Sequence, residues 1–293
     1  MSRRLPAVVV VAHDKPRHFH RLIAAIEPLP TFVHIDANTP PDVHAQMTAG
    51  LPDTVTLLPR LRAGWARYEV LEAELAGYRA ALESTDAEHL ILLTGADYPL
   101  ANVSAIIEYF GKNAGRSFVE VDPVPRAAWG RNGGADRFWF RQWPWGKHRM
   151  VLPIPRRVPA GVERAGGSQS KVLCRAHAEY VLDLLDRRPD LWRYFRRCWT
   201  PDEVTIHSLL LSKALGGPDQ VFESRDQALW FMDWGEDPTP SPHWLTTAHF
   251  PGIREARTRT DRPALFARKL SDESAELTDL IDSDLRTISI PTA

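Results

Sequence analysis

The sequence predicts an α/β fold with a doubly wound sheet and helices on both faces. The first observation is an unbroken apolar run at residues 90–93, too short for a buried helix and suited to a central strand covered on both sides. The second is an alternation of such runs with amphipathic stretches through residues 1–122, because alternating strands and helices form doubly wound sheets. With 293 residues, the chain is long enough for one large domain or two small ones.

Predicted strands and helices alternate from the start of this region. The spacing of apolar residues predicts strands at residues 7–12, 31–35, 55–58, 90–93 and 117–121. Helices are predicted to begin at Pro16, at about Tyr68 and near Val103. A strand, a helix and a second strand within about 35 residues form a compact parallel unit.

The character of the sequence changes after Asp122. Residues 123–160 carry many Pro, Trp and Arg residues without a helical or alternating period, so we predict long ordered loops there. Aromatic rings beside arginines, such as Trp143 near Arg141, can stack on sugar rings and hydrogen-bond their hydroxyls. The alternative is that the rings only fill a gap between two halves of a domain. A strand at residues 170–173 follows, with helices at residues 175–186, 200–215 and 272–281.

Composition limits the partners and compartments of the protein. The net charge is −1, so the chain as a whole has no electrostatic footprint for nucleic acid or an anionic membrane. Two cysteines are too few for a disulfide framework, and no apolar run reaches the roughly 18 residues needed to cross a bilayer. We therefore expect a cytoplasmic protein with no nucleic-acid partner and no membrane span.

The segment Thr200-Pro201-Asp202-Glu203 begins one of the predicted helices. In one interpretation Thr200 caps the helix and Glu203 bonds back to the backbone, which completes a capping box. In the other, Glu203 points into a cleft as a general base that takes a proton from an attacking hydroxyl. The two roles exclude each other, because a glutamate bonded to its own backbone is not free to accept a substrate proton.

Asp97 lies in the segment that directly follows the run at residues 90–93. Gly95 allows an abrupt change of direction, and open α/β sheets bind ligands at the carboxyl ends of their central strands. We therefore predict Asp97 on a loop, where it either binds a ligand or only closes a turn.

Basic residues are concentrated between residues 254 and 269. Lys269 follows an arginine-rich loop that holds Arg254, Arg257, Arg259 and Arg262. A lysine beside such a loop can neutralise a diphosphate leaving group without a metal. The alternative is an exposed basic surface with no ligand.

Few carboxylates are placed to bind a metal. Asp282-Ser283-Asp284 has the Asp-x-Asp spelling of a divalent-metal site, but it lies at the end of a helix instead of at the end of a strand. Glu120 and Asp122 are better placed and remain a minor alternative. The sequence contains no phosphate-binding loop, dinucleotide fingerprint, nucleophile elbow or zinc pattern.

Taken together, these segments resemble the core-2/I-branching beta-1,6-N-acetylglucosaminyltransferase family, in a short soluble bacterial form. The resemblance rests on segments that keep their order along the chain: VVVVAHDKP, FVHIDANT, GWARYEVLEAEL, LLTGADYPL, GGSQ, TPDE and LFARKL. It implies a GT-A-like doubly wound mixed sheet in a single domain over residues 1–293. Residues 1–122 would form the nucleotide-binding half, and residues 123–293 the acceptor and catalytic half.

The resemblance also implies an activity, the inverting transfer of a sugar from a UDP-sugar to an acceptor hydroxyl. The expected sugar is N-acetylglucosamine, no metal or other cofactor is expected, and Glu203 would be the catalytic base. The predicted donor-binding residues are Val11, His13, Asp36, Arg62, Asp97, Arg254 and Lys269. The acceptor is expected to be a glycan or a small molecule, and its predicted binding residues are Trp234, Trp143, Arg141, Ser168 and Gln169.

The sequence departs from the family pattern at one diphosphate-binding position. Family members pair the lysine with an arginine upstream, and by ungapped spacing that position is Thr246 here. We expect either a substitute among the arginines at 254, 257, 259 and 262 or a different mode of donor binding. Two other classes of function remain open. One is a non-catalytic module that binds a glycan or a nucleotide-sugar, and the other is a glycosidase that uses Glu203 and Asp97.

Overall fold

The fold is a mixed sheet packed between helices, seen in a computed structural model that describes residues 4–129, 132–145, 148–219, 221–223, 229–236, 239 and 241–290. The strands are β1 (Ala7–Ala12), β2 (Thr31–Ile35), β3 (Val55–Leu57), β4 (His89–Thr94), β5 (Asp97–Pro99), β6 (Ser117–Val119), β7 (Asp122–Pro123), β8 (Phe140–Trp145), β9 (His148–Pro155), β10 (Ala165–Gly166), β11 (Lys171–Cys174), β12 (Val221–Glu223), β13 (Trp230–Met232) and β14 (Phe266–Arg268). The helices are α1 (Pro16–Ile26), α2 (Pro41–Thr48), α3 (Tyr68–Ser84), α4 (Val103–Lys112), α5 (Asp136–Trp139), α6 (Arg175–Arg187), α7 (Pro189–Phe195), α8 (Pro201–Leu211), α9 (Phe250–Thr258) and α10 (Ala275–Leu280).

Seven strands form the main sheet in the order β12-β6-β11-β4-β1-β2-β3. β11 runs antiparallel to its neighbours β4 and β6, and the other neighbouring pairs are parallel. A smaller sheet, in the order β13-β14-β5, begins just after the end of β4. The predicted doubly wound mixed sheet is therefore confirmed.

Alternate residues of the central strands pack into two cores on opposite faces of the main sheet. Val9 and Leu92 face a core that includes α3, α6 and α8, and Val8 and Val10 face another that includes α1 and α4. Successive side chains of a strand point to opposite faces, so both faces of β1 and β4 must be apolar. Helix α3 approaches β1 closely, because a Cβ at Gly77 would lie 2.3 Å from Cγ1 of Val9.

The chain changes direction across the sheet between β1 and β4. From β1 it continues to β2 and β3 on one side, and after β4 it continues to β6 and β11 on the other. A reversal of this kind leaves a crevice at the carboxyl ends of the two central strands, where open α/β sheets bind ligands. The residues that follow β1 and β4 therefore border the expected binding crevice.

Several segments predicted as loops contain regular structure. Residues 123–160 hold α5 and the hairpin of β8 and β9, and part of the arginine-rich segment is helix α9. The hairpin was not predicted because exposed apolar residues occupy both faces of β9 and give no alternating pattern. Asp97, predicted on a loop, begins strand β5, and the helices α2 and α7 were not predicted.

Two predictions from composition concern the cysteines and membrane crossing. Cys174 and Cys198 are buried free thiols, in agreement with the expected lack of a disulfide framework. Among the helices of the described ranges, none is both long enough and apolar enough to cross a bilayer.

Candidate active site

The loops after β1 and β2 meet at the carboxyl edge of the main sheet. The backbone N–H of Asp36 donates to the carbonyl of Ala12 at 2.9 Å, and the Thr39 hydroxyl donates to the carbonyl of His13 at 2.8 Å. The N–H of Gly95, after β4, donates to the carbonyl of Val11 at 3.0 Å. The predicted donor-binding residues Val11, His13 and Asp36 therefore lie together around the crevice.

Arg62 follows β3 at the same edge, and its side chain is exposed. The neighbouring Arg60 is bound to the backbone instead, since it donates to the carbonyl of Asp36 at 2.8 Å. Of these two arginines, Arg62 is thus the one with a side chain available to a ligand.

Asp97 is a buried carboxylate with a hydrogen-bond or ion-pair partner for each oxygen. Oδ2 accepts from the backbone N–H of Thr94 at 2.5 Å and from its hydroxyl at 2.6 Å, and Oδ1 accepts from Nε1 of Trp230 at 2.9 Å. Nη1 of Arg268 lies 3.2 Å from Oδ2. The side chain is only 1% exposed, so it holds Thr94, Trp230 and Arg268 in place and does not face solvent.

Arg268 and Lys269 place two adjacent cations beside the crevice. Arg268 pairs with Asp97 across the β14–β5 ladder and also hydrogen-bonds the Thr94 hydroxyl. Nζ of Lys269 donates to Oγ of Ser241 at 3.2 Å and lies 5.1 Å from the centre of the Trp244 ring. Burial, with the nearby Arg268 charge, lowers the pKa of Lys269 below its usual value.

The arginines predicted to assist Lys269 differ in their surroundings. Arg257 is fully buried and donates to the carbonyls of Leu100 and Ile288 at 3.0 and 2.9 Å, so it is a structural residue. Arg254 is exposed on α9. The cation next to Lys269 is Arg268, which sequence reasoning missed although it stands inside the quoted LFARKL segment.

Glu203 does not cap its own helix. Thr200 has a left-handed conformation with φ 46°, and its side chain makes no cap hydrogen bond, so the capping-box interpretation is wrong. Oε2 of Glu203 instead accepts from Nη1 of Arg137 at 2.6 Å, and the same nitrogen donates to the Thr200 hydroxyl at 2.6 Å. The side chain of Glu203 is 31% exposed, which leaves it accessible to a ligand.

Arg137 is a second site residue that sequence reasoning missed. Its guanidinium carbon lies 4.3 Å from the centre of the Trp129 ring, and this cation–π contact helps to keep the side chain beside Glu203. Arg137 comes from α5, in the segment predicted as loops, so no pattern in the sequence placed it near residue 203.

The antiparallel strand β11 brings Glu203 to the same edge as the cations. Lys171 pairs with Leu92, so Ser168 and Gln169, just before β11, lie beside the end of β4. The N–H of Gly167 donates to the carbonyl of Glu203 at 3.0 Å. Only glycine fits at 167, because a Cβ there would lie 1.7 Å from the carbonyl oxygen of Glu120.

A buried polar network lies beneath the start of α8. Nζ of Lys171 is 2.9 Å from Oε1 of Glu74, both side chains are 0% exposed, and the Tyr78 hydroxyl donates to the same oxygen at 3.0 Å. Lys171 also reaches the carbonyl of Asp202 at 3.5 Å. Burial, with the neighbouring Glu203 charge, raises the pKa of Asp202 to about 7.

Three of the four carboxylates considered for a metal site are paired with arginines. Nη1 of Arg126 lies 2.9 Å from Glu120 and 2.8 Å from Asp122, so the guanidinium occupies the space between them. Asp282 contacts Arg21 at 2.6 Å and Arg286 at 2.9 Å. Within the described ranges, no three His, Cys, Asp or Glu side chains cluster as a metal site.

The predicted acceptor residues fall into separate groups. Ser168 and Gln169 are half-buried and adjoin the start of α8. Trp234 is 41% exposed just after β13, near the end of β14 where Arg268 lies. Trp143 and Arg141 belong to the β8–β9 hairpin, where Trp143 borders a cavity of about 140 Å³ that also includes Tyr68, Glu69 and Arg196.

Comparisons with known proteins agree with the resemblance found in the sequence. Xylosyltransferase 1 of Homo sapiens is 26% identical over 222 residues, which cover 71% of this chain and 22% of that protein. Xylosyltransferase 2 of Bos taurus is 25% identical over 287 residues, which cover 90% of this chain and 31% of that protein. The chain thus spans between about a fifth and a third of the length of these relatives.

Among solved structures, 2-C-methyl-D-erythritol 4-phosphate cytidylyltransferase from Thermus thermophilus is similar to this chain with a TM-score of 0.36 and 14% identity. That match covers 76% of this chain and 91% of the other. The family described as Core-2/I-Branching enzyme matches residues 27–253, which is most of the chain. The chain therefore belongs to the Core-2/I-Branching enzyme family.

Proposed function

We propose that the protein is an inverting glycosyltransferase that moves a sugar from a UDP-sugar to a hydroxyl of a glycan or small-molecule acceptor. Family membership supports the reaction class. The observation that carries the proposal is the uncapped, accessible carboxylate of Glu203 at the sheet edge that also holds Arg268 and Lys269. One edge thus offers a proton acceptor and a cationic pair, the two components that this transfer requires.

Glu203 acts as the general base in this mechanism. It takes the proton of the acceptor hydroxyl while that oxygen attacks the anomeric carbon from the face opposite the diphosphate. The new glycosidic bond forms as the bond to UDP breaks, and the anomeric configuration inverts. Arg137, 2.6 Å from the carboxylate, keeps Glu203 oriented before the proton arrives.

Arg268 and Lys269 receive the negative charge that develops on the departing UDP. Fixed cations near the leaving oxygens stabilise that charge as a metal ion would, so no metal is required in this proposal. The nucleoside lies along Val11, His13 and Asp36, with Arg62 free to approach it. Asp97 holds Arg268 in place and does not touch the donor.

Two donor sugars are the first to test. N-acetylglucosamine is the sugar implied by the sequence resemblance. Xylose is suggested by the relatives that are named xylosyltransferases. UDP-N-acetylglucosamine and UDP-xylose are therefore the donors to compare, with release of UDP as the measurement.

The decisive experiment is the substitution Glu203→Gln. Removal of a general base costs about two to four orders of magnitude in rate, while UDP affinity and thermal stability should stay unchanged. Glu179→Gln is the matched control, because Glu179 is also paired with an arginine, at 3.1 Å, but its side chain is exposed on the outer face of α6. A Glu203→Gln variant that retained most of its transfer activity would rule out this base.

Each of the two alternative functions requires a feature that the structure does not have. In a non-catalytic binding module Glu203 would serve as a helix cap, but Glu203 does not cap its helix. A glycosidase needs a second accessible carboxylate, but Asp97 is buried and both its oxygens are engaged. Hydrolysis of glycosides in the absence of any nucleotide would favour the glycosidase over the transferase.

A further inference from the structure

The hairpin of β8 and β9 exposes large apolar side chains along its outer strand. On β9, Val151 is 46% exposed and Ile154 is 51% exposed, and Met150 and Leu152 are also exposed. Trp145, at the end of β8, is the most exposed of these, at 69%. Because successive strand residues point to opposite faces, both faces of this outer strand present apolar surface to solvent.

Positive charge surrounds these apolar side chains. The sequence contains no Asp or Glu between Asp136 and Glu163, although the net charge of the whole chain is −1. Beside Ile154 lies a groove of about 480 Å³ whose lining includes the exposed Arg141, Arg157, Arg193 and Arg197. The acidic residue in its lining, Asp190, is already paired with Arg188 at 2.7 Å.

We propose that the β8–β9 hairpin binds the surface of a membrane that contains anionic phospholipids. The apolar side chains of β9 and Trp145 would enter the boundary between headgroups and acyl chains, as amphipathic elements with Trp and Arg do. The arginines of the groove would bind the headgroup phosphates.

The shape and charge of the hairpin favour lipid over a protein partner. A protein surface that packs on a two-stranded sheet covers one face, whereas lipid surrounds an inserted strand and covers both. The excess of arginine over acidic side chains matches the phosphates of an anionic leaflet. The local charge thus differs from the near-neutral whole chain, which gave no reason to expect membrane affinity.

The hairpin is also joined to the elements that hold Glu203. The N–H of Gln142 donates to the carbonyl of Arg197 at 3.1 Å, between the end of α7 and the start of α8. Arg149 pairs with Asp136 at 2.6 Å, and Asp136 precedes the Arg137 that binds Glu203. A membrane bound at the hairpin would therefore lie beside the candidate active site, although membrane binding itself does not depend on the proposed sugar transfer.

Co-sedimentation of the full chain with vesicles tests the proposal. The protein should bind vesicles of equal parts phosphatidylcholine and phosphatidylglycerol, and high salt should dissociate it from them. It should bind vesicles of phosphatidylcholine alone at least about tenfold more weakly. The triple variant Val151→Ser, Leu152→Ser, Ile154→Ser and the double variant Arg141→Gln, Arg157→Gln should each reduce binding about tenfold or more. Because all five side chains are exposed, we expect unchanged melting temperatures.

The matched control is the variant Leu57→Ser, Leu280→Ser, which removes two exposed leucines from β3 and α10 and should leave vesicle binding unchanged. Equal binding by wild type and the triple variant, or no preference for phosphatidylglycerol, would overturn the proposal. The proposal would also be overturned if inorganic phosphate displaced the protein completely from the vesicles while chloride at the same ionic strength did not, since the groove would then bind a free anion. If the wild type were a dimer in gel filtration and the triple variant a monomer, the hairpin would instead be the interface with a second copy of the chain.

Discussion

The carboxylate of Asp97 joins the loop after β4 to a cation of the smaller sheet. It accepts hydrogen bonds from Thr94 and Trp230 and pairs with Arg268 at 3.2 Å. A buried carboxylate held by this many donors restricts the arginine to one orientation. Asp97 thus acts on the proposed donor through Arg268, one residue before Lys269.

At the residue scale we predict that Lys269→Met lowers UDP affinity about tenfold to a hundredfold, because a hydrogen bond to a charged group contributes about 1.5–3 kcal/mol. The lysine is charged below its pKa, and burial lowers that pKa. Wild-type affinity should therefore fall as pH rises, at a lower pH than for an ordinary lysine, and the variant should lose this dependence. Calorimetric titration of UDP measures both effects.

The control for this prediction is Lys213→Met, which removes an exposed lysine that is paired with Asp219 at 2.9 Å. Its UDP affinity should match that of the wild type at every pH. Unchanged affinity in the Lys269→Met variant would remove this lysine from the proposed diphosphate site.

At the scale of elements, the Lys171–Glu74 pair joins β11 to α3 directly beneath α8. Both side chains are fully buried, so each depends on the other to compensate the loss of water. The pair therefore fixes how the strand and the helix meet, and with them the start of the helix that carries Glu203.

We predict that Lys171→Met lowers the free energy of unfolding by about 3–5 kcal/mol, because it leaves Glu74 buried without a counterion. The double variant Lys171→Met, Glu74→Leu should recover most of that loss, since neither charge then remains buried. Arg79→Met is the control, because its pair with Asp186 is exposed and should contribute less than about 1 kcal/mol. Urea unfolding gives all three values, and an equal loss in the single and double variants would contradict the explanation.

At the scale of the whole molecule, the elements that could be predicted from the sequence are those whose own residues show a helical or strand pattern. The elements β1, α1, β2, α3 and β4 each carry their own periodicity, so their positions were close to those found. Arg137, Arg268 and the Lys171–Glu74 pair depend on contacts between segments far apart in the chain. No local pattern reports such contacts, so the sequence could suggest Glu203 as a base but not the residues that hold it.

A prediction for the whole molecule concerns metal ions and nucleotides. Because Arg268 and Lys269 supply the positive charge in the proposed site, EDTA should not reduce sugar transfer. UDP should raise the melting temperature without added metal, since a ligand at a hundred times its dissociation constant adds about 2.7 kcal/mol to the free energy of unfolding. Inhibition by EDTA that Mg²⁺ or Mn²⁺ reversed would point instead to the carboxylates Glu120 and Asp122.

The pairing of β6 with β11 has a consequence for how this protein can diversify. Val119 and Lys171 are partners in the ladder, so residues 120–170 leave the main sheet and return to it at a single place. The entropy of closing such an insertion changes only slowly with its length, so the sheet tolerates replacements of different size. In the proposed enzyme, an insertion of another length that keeps Arg137 beside Glu203 would change the predicted acceptor residues Ser168 and Gln169, while Val11, His13 and Asp36 on the proposed donor side stay in place.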